Sequence, residues 1–242
     1  MASVLPRDTW RSALQPLLND RSPADALAAY YAFHHSPDRT ELFAHYSGER
    51  GRADGFLVRA RTGLDLFRPL VTFRADAEAV AQALFQDGLP PHRPVYLVAP
   101  EGLGEWAAKF LTLADMELHR VYRFDPDRYK PEINVLLMST VGPDGTPRFE
   151  IRSAGNKPGA VAGVNWQSDR FAEIYVHTEP AVRGRGWGKA VVSALARQLL
   201  QAGRSPLYVA AQTNEYSIRL AESVGFIDTG YRELVAQGVR PE

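Results

Sequence analysis

The segment VRGRGWGKA, residues 182–190, places three glycines and three basic side chains between a strand-like run and a helix-like run. The first backbone N–H groups of a helix lack partners within the helix, and the helix dipole adds partial positive charge there. Glycines let the backbone approach a phosphate closely, and basic side chains add charged contacts to it. The segment therefore predicts either a site for one small anion or a tight loop whose charges are solvated.

Two familiar phosphate-binding motifs do not fit this segment. A P-loop needs a glycine five residues before the Gly-Lys pair and a serine or threonine after it, but Arg183 and Ala190 occupy those positions. The dinucleotide-binding fingerprint needs its third glycine at position 189, which is Lys189. Both motifs are excluded, and the pattern that remains is Arg183-x-x-Gly186-x-Gly188.

This pattern resembles the signature of the GNAT superfamily of acyl-CoA N-acyltransferases, which is Gln or Arg, two residues, Gly, one residue, and Gly or Ala. The run EIYVHTEPAVRGRGWGKAVVSALARQLL, residues 173–200, is similar to that family's central strand, pyrophosphate loop and helix. The run PLYVAAQTNEYSIRLAESVGF, residues 206–226, is similar to the next strand and helix. The resemblance covers about residues 133–235.

The resemblance implies that the turn binds the pyrophosphate of acetyl-CoA, which is a co-substrate, and that the pantetheine arm runs beside the strand before it. Asn214 is also a good helix N-cap residue, and Trp187 either covers the cofactor or only packs. The cofactor-binding residues that the resemblance implies are Val176, His177, Thr178, Arg183, Gly184, Arg185, Gly186, Trp187, Gly188, Lys189, Asn214 and Ser217.

The family's reaction is direct attack of an amine on a thioester, which requires a base, oxyanion donors and a proton for the leaving thiolate. The resemblance places the oxyanion donor, a backbone N–H, near Thr178. We hypothesise Glu173 as the base, with His177 as an alternative, although both would also suit an exposed polar strand face.

The family's usual general acid is missing from this sequence. The acid is normally a tyrosine in a pattern like LYEKLGF, whereas this chain reads LAESVGF with Ala221 at that position. Tyr216, Ser217 or solvent would have to protonate the thiolate instead.

The elements that position these residues can be predicted along the chain. The spacing of apolar residues predicts helices over 9–18, 23–34, 75–88, 187–202 and 214–225. It predicts strands over 41–47, 55–60, 94–100, 133–141, 148–154, 160–166, 170–178 and 206–211, a short helix then a strand over 102–124, and a strand or hairpin over 226–236. The turn GPDGTP makes 133–141 and 148–154 a hairpin.

The charged, proline-containing stretch DPDRYKPE, residues 125–132, predicts a domain junction. The two domains are then residues 1–130 and 131–242. The order of elements in the first half loosely resembles a GNAT copy that has lost its cofactor loop. We therefore expect an α/β (α+β) fold with a mixed, mostly antiparallel sheet flanked by helices, in two GNAT-like halves.

Composition excludes several other classes. Lys plus Arg and Asp plus Glu each total 28, so there is no positive excess for binding nucleic acid. The absence of cysteine excludes disulfides and thiolate nucleophiles, and the six histidines have no metal-ligand spacing. No apolar run is long enough to span a bilayer, and no signal peptide is recognisable. We expect a cytoplasmic protein that binds neither metal nor membrane, and the resemblance allows a homodimer.

The leading functional hypothesis is an acetyl-CoA-dependent N-acetyltransferase acting on a primary amine of a small molecule or peptide. Ala221 motivates a second hypothesis, a non-catalytic acyl-CoA-binding or sensing protein. A third is an interaction module with a vestigial loop, which would not bind coenzyme A.

Overall fold

The computed structural model describes residues 2–4, 6, 9–46, 48, 52–63, 67–129, 131, 134, 136–142, 144–153 and 155–242. The chain forms two compact units. The first unit consists of Met1–His119 together with Tyr231–Glu242, and the second consists of Arg120–Gly230.

The first unit follows the order strand, two helices, three strands, helix, strand, helix. Its elements are β1 (Ala2–Val4), α1 (Trp10–Leu14), α2 (Ala26–Phe33), β2 (Thr40–His45), β3 (Gly55–Ala60), β4 (Leu70–Ala75), α3 (Glu78–Gly88), β5 (Pro94–Pro100) and α4 (Gly104–Phe110), followed by the start of β6 (Thr112–Phe124). The chain's last strand, β12 (Phe226–Val239), contributes its C-terminal part. The sheet order is β1-β2-β3-β4-β5-β12, in which β4 and β5 are parallel and the other neighbours antiparallel.

Helices cover both faces of this first sheet. In β3, Phe56 and Val58 pack with α1 and α2, whereas Leu57 packs with the apolar stripe of α3, which includes Leu84 and Phe85. Because both faces are buried, β3 has a continuous apolar run instead of alternating apolar and polar residues.

The second unit begins with the end of β6 and carries the predicted cofactor turn. Its further elements are β7 (Leu137–Val141), β8 (Pro147–Arg152), β9 (Pro158–Gln167), β10 (Phe171–Thr178), α5 (Trp187–Gln201), β11 (Ser205–Ala211), α6 (Glu215–Val224) and the start of β12. The sheet order is β7-β8-β9-β10-β11-β6, with β10 and β11 parallel. The buried face of α5, including Val191, Leu195 and Leu199, packs on Ala162 and Ile174 of the sheet.

The predicted fold class is confirmed: the strands form mixed, mostly antiparallel sheets flanked by helices. The predicted hairpin is the antiparallel pair β7 and β8. The helix expected over 9–18 is shorter, because Pro16 has no backbone N–H to continue it. The sequence analysis missed β1 and β4, and Ser47, Ile133, Val135 and Ala154 of the predicted strands lie outside the described residues.

The two units differ from the predicted division into 1–130 and 131–242. Strand β6 continues past residue 119 and ends at Phe124, before the charged stretch 125–132. Strand β12 pairs along Glu233–Val239 with β5, so residues 231–242 belong to the first unit. Local composition does not reveal this long-range pairing.

In the described part of the chain, no helix is both long and apolar enough to cross a bilayer.

Candidate cofactor and active site

The turn between β10 and α5 depends on two glycines in the left-handed region. Gly184 has φ +77°, and Gly186, the N-cap residue of α5, has φ +75°. L-residues with a Cβ adopt this region at a cost of about 1–2 kcal/mol, so glycine suits both positions. A Cβ built on Gly184 meets nothing within 4 Å, so this glycine is required by its backbone conformation and not by lack of space.

The turn is tied back to the end of β10 at two points. The Arg183 Nε donates a hydrogen bond to the backbone oxygen of Thr178 at 3.2 Å. A Cβ built on Gly188 would lie 2.9 Å from the Thr178 hydroxyl oxygen, so the first turn of α5 approaches the strand closely. These contacts hold the start of α5 beside the last residue of β10.

The charged side chains of the turn lie at its surface. Arg183 and Arg185 are exposed, and Lys189 is half-buried. The Arg185 guanidinium lies 5.8 Å from the centre of the Trp187 ring. The α5 N-terminus and these cations are the groups that an anionic ligand at the turn would contact.

Trp187 packs against the protein as well as bordering the turn. Its ring is half-buried beside the core, and a Cβ built on Gly159 would lie 2.7 Å from its Cζ3 atom. The ring therefore rests directly on the backbone of β9, which accounts for glycine at position 159.

Strands β10 and β11 separate beside the turn. Their parallel pairing runs from Phe171 opposite Ser205 to Ile174 opposite Tyr208 and stops there. The rest of β10, residues 175–178, pairs only with β9 among its described neighbours. A gap therefore opens between the C-terminal ends of the two strands, as the resemblance implied for the pantetheine arm.

Backbone donors point into this gap. The Glu179 N–H donates to the Gly159 oxygen at 2.8 Å, so it points toward β9. Successive N–H groups of a strand alternate in direction, which turns the N–H groups of Thr178 and Val176 toward β11. The backbone near Thr178 thus presents donors to the gap, which is the geometry needed by an oxyanion.

Glu173 is held by two donors from β9. Its carboxylate accepts hydrogen bonds from the Asn165 Nδ2 at 2.6 Å and from the Trp166 Nε1 at 2.8 Å. A register shift between β9 and β10 at this point makes Asn165 an extra residue in β9. This bulge brings both donors to Glu173, and neither donor can be recognised from local sequence because strand register determines the contact.

Glu173 shares one face of β10 with Tyr175 and His177. The Tyr175 ring lies over Gly163 of β9, where a Cβ would meet its hydroxyl at 2.5 Å. His177 is exposed, and its Nε2 lies 3.3 Å from a Glu179 carboxylate oxygen. Val176 lies on the opposite face, packed against the core under α5. Position 177 is therefore open to solvent, whereas Glu173 is fixed.

Asn214 begins helix α6 as an N-cap. Its Oδ1 accepts a hydrogen bond from the Ser217 N–H at 3.1 Å. The Ser217 hydroxyl lies 2.8 Å from the Tyr208 hydroxyl, in a hydrogen bond that either group can donate. Burial raises the pKa of Tyr208 above its ordinary value, against the opposing hydrogen bond from Ser217. Tyr208 was missed by the sequence analysis because, within PLYVAA, it has the pattern of a core residue.

The position of the family's usual acid is filled by a buried methyl group. Ala221 is fully buried in α6, and Ser217 lies one helical turn before it on the same side. Tyr216 is 83% exposed and its ring lies 5.0 Å from the Arg219 guanidinium. The structure therefore brings Ser217 and Tyr208 together and leaves Tyr216 in solvent.

The described residues contain no group of three or more His, Asp or Glu side chains placed to bind a metal ion. The arrangement around the gap consists of a glycine-rich turn with cationic side chains, backbone donors, one fixed carboxylate and a hydroxyl pair. These groups suit nucleophilic attack on a thioester, in which negative charge develops on the carbonyl oxygen.

A family model and several solved structures are similar to this chain. A family model described as FR47-like protein matches residues 153–235, which contain the turn and both of the strands that flank the gap. No curated protein matches the chain.

Solved structures match over nearly the whole chain at low identity. A GCN5-related N-acetyltransferase from Sphaerobacter thermophilus is 12% identical, with a TM-score of 0.66, covering 100% of this chain and 96% of its own. A tandem GNAT protein from the clavulanic acid biosynthesis pathway is 14% identical, with a TM-score of 0.63 and coverage of 99% and 98%. A GNAT-family acetyltransferase from Colwellia psychrerythraea is 12% identical, with a TM-score of 0.59 and coverage of 99% and 100%. The chain therefore shares the fold of these solved GNAT proteins, and its residues 153–235 match the FR47-like model.

Proposed function

We propose that the protein transfers an acetyl group from acetyl-CoA to a primary amine of a small molecule or peptide. The observation that carries this proposal is the gap between β10 and β11, with an open, cationic helix N-terminus at its mouth. A helix N-terminus with exposed arginines favours a pyrophosphate, and a gap lined by backbone donors favours an extended amide-containing arm.

The residues proposed for the cofactor act in two groups. The N-terminus of α5 with Arg183, Arg185 and Lys189 would bind the pyrophosphate, while the free edge of β10 from Val176 to Thr178 would bind the pantetheine arm. Acetyl-CoA supplies an activated acyl group as a thioester. The backbone N–H groups of Val176 and Thr178 would stabilise negative charge on the acyl oxygen during attack.

The proton of the attacking amine requires a base on the open face of β10. Glu173 is the first candidate, because hydrogen bonds from Asn165 and Trp166 fix the position of its carboxylate. His177 is the alternative, and its exposure lets it reach an acceptor through water. In either case the proton leaves the nitrogen as the new C–N bond forms.

The departing thiolate requires a proton from a donor near the gap. The hydroxyl pair of Ser217 and Tyr208 is the best placed, because Tyr208 is at the last paired position before the gap opens. A tyrosine phenol is ordinarily protonated at neutral pH, and burial raises the pKa of Tyr208 further, so the pair is a donor there. Solvent is the other source, since a thiolate is a good leaving group.

A protein that binds acyl-CoA without catalysis is the second candidate. The observation that favours it is Ala221, a buried methyl group where the family's acid normally lies. The two candidates share the cofactor site and differ in turnover. Release of free thiol that depends on an added amine would distinguish them.

The deciding experiment is calorimetric titration of acetyl-CoA into the wild type and Gly186→Glu, which puts a carboxylate at the start of α5. Gly203→Glu is a matched control, because Gly203 has φ +77°, nothing within 4 Å of its Cβ position, and lies past the other end of α5. We expect binding by the wild type and Gly203→Glu and none by Gly186→Glu. No binding by the wild type would refute the proposal.

A further inference from the structure

The first unit contains a cleft of about 430 Å³ at one edge of its sheet. The edge is formed where β2 begins at Thr40, β3 ends at Ala60, and β4 and β5 begin at Leu70 and Pro94. All the residues that line it lie between Asp38 and Val95, within the first unit.

This cleft is not a remnant of a cofactor site in the first unit. In a GNAT-like unit, the cofactor lies where the central strand passes into the following helix, which here is the connection from Ala75 to Glu78. The cleft is at the other end of the same strand, beside Pro69 and Leu70. It therefore needs an explanation independent of the proposed acetyl-CoA site.

Most of the charged side chains that line the cleft are arginines. The charged lining residues are Asp38, Glu41, Arg39, Arg59, Arg61 and Arg93, which gives four positive and two negative groups and a net charge of +2. Arg59 is already engaged, because its Nε donates to Glu41 at 2.7 Å and its Nη1 donates to the Gly88 oxygen at 3.0 Å.

The other three arginines are available to a ligand. Arg39, Arg61 and Arg93 are exposed, and within the described residues none of them forms an ion pair with a carboxylate. These three exposed guanidinium groups line one cleft and so provide positive charge for an anionic ligand. Guanidinium groups also match the oxygens of phosphate through paired N–H donors.

Apart from Thr40, the remaining lining residues of the cleft are apolar. Phe67 at the cleft is 86% exposed, and Pro69, Pro90 and Pro94 add rigid apolar surface. A large aromatic side chain in solvent beside a cationic cleft is typical of a site that receives a ligand with a flat apolar part.

We propose that this cleft binds a small molecule with a phosphate monoester on a flat apolar body, such as an aryl or nucleoside phosphate. A phosphate monoester carries a charge of about −1.5 to −2 at neutral pH, which balances the net charge of the lining. Arg61 and Arg93 bind the phosphate, and Phe67 with the prolines contacts the apolar body. The first unit is then a ligand-binding unit attached to the unit that carries the cofactor turn.

Calorimetric titration with phenyl phosphate tests the site. Inorganic phosphate, which has only the charge, and phenol, which has only the ring, are the reference ligands. We expect phenyl phosphate to bind more tightly than either reference ligand. Arg61→Ala and Arg93→Ala each weaken it roughly tenfold or more, since each removes a charged hydrogen-bond donor to the phosphate. Arg21→Ala, which removes an exposed arginine of the same unit away from the cleft, leaves binding unchanged.

Phe67→Ala separates the two parts of the proposed ligand. It should weaken phenyl phosphate and leave inorganic phosphate unchanged. The assignment of an apolar body would be overturned if Phe67→Ala weakened the binding of phenyl phosphate and inorganic phosphate equally. It would also be overturned if the wild type bound the two ligands with equal affinity.

The turn in the second unit is a competing anion site, so the same titration is made with Gly186→Glu. Phenyl phosphate binding that survives Gly186→Glu and falls in Arg61→Ala supports the cleft. The reverse pattern, or no binding by the wild type, overturns it. Acetyl-CoA binding by Arg61→Ala and Arg93→Ala is measured in parallel, so that failure of this inference is distinguished from failure of the proposed function.

Discussion

A Cβ at Gly188 would lie 2.9 Å from the hydroxyl oxygen of Thr178, closer than side-chain carbons approach such atoms. The start of α5 therefore packs closely on β10, and a side chain at position 188 requires the Thr178 hydroxyl or the helix to shift. The contact fixes where the N–H groups at the start of α5 point relative to the end of the strand.

Gly188→Ala should weaken acetyl-CoA binding at least several-fold, because the added methyl group pushes the start of α5 away from β10. Thr178→Ala removes the obstructing oxygen and keeps the backbone N–H, so Gly188→Ala/Thr178→Ala should recover most of the affinity. The coupling is measured by calorimetry in a double-mutant cycle. Gly102→Ala, which adds a methyl group in open space, is the control. Additive effects would show that this contact does not position the site.

Gly159→Ala should displace the Trp187 ring, because its Cβ would lie 2.7 Å from Cζ3. The fluorescence of Trp187 is obtained by subtracting the emission spectrum of the same protein with Trp187→Phe. In Gly159→Ala this fluorescence should shift to longer wavelength, because the ring becomes more exposed. If the ring also covers the cofactor, acetyl-CoA affinity falls in Gly159→Ala and Trp187→Phe alike. Lower thermal stability with unchanged affinity would make Trp187 a packing residue only.

Glu173→Gln should lower kcat by roughly 10²-fold or more if this carboxylate accepts the amine proton, as is usual for a general base. Trp166→Phe removes one of the donors that hold the carboxylate and should cause a smaller loss. His177→Gln tests the alternative base in the same assay. An unchanged rate in Glu173→Gln, with normal acetyl-CoA affinity, would dismiss Glu173.

Ser217→Ala and Tyr208→Phe should each lower kcat roughly tenfold or more, since each removes half of the same proton-donating pair. The double variant should be no slower than the slower single variant, because the two hydroxyl groups act as a unit. Tyr216→Phe is the control, as its hydroxyl lies on an 83% exposed residue. A rate lost in Tyr216→Phe and kept in the other two would return the acid role to Tyr216.

His35 should make folding stability depend on pH in mildly acidic solution. Burial, and then the nearby Arg39, lower the pKa of His35 below 6.5 in the folded protein. His35 therefore binds a proton more readily in the unfolded chain than in the folded protein. The contribution of neutral, packed His35 to the free energy of unfolding is complete above pH 6.5 and is lost as the pH falls through the pKa of His35 in the folded protein. Urea unfolding at pH 5 and pH 7.5 should give a smaller difference in the free energy of unfolding for His35→Gln than for the wild type, and an equal difference would contradict this prediction.

The second unit could be predicted well because its signals are local. Gly186 and Gly225 lie in left-handed backbone at the start of α5 and the end of α6, and Asn214 caps α6, so each boundary has a residue type that requires it. The order of strands and helices could be predicted from these helix-terminating and helix-capping residues and from the spacing of apolar residues.

The parts that could not be predicted depend on contacts between distant residues. The bulge that brings Asn165 to Glu173 is set by strand register, and the partnership of Tyr208 with Ser217 depends on how α6 packs. Strand β4 was missed because both of its faces are buried, which removes the alternation by which a strand is recognised.

The membership of residues 231–242 in the first unit has a consequence for how the protein is made. A ribosome finishes the second unit before it reaches the strand that pairs with β5, so the first unit acquires that strand only after the second unit has been made. Until then the open edge of β5 must stay unpaired, and a stop codon near position 230 would damage the N-terminal unit while sparing the unit next to it in sequence.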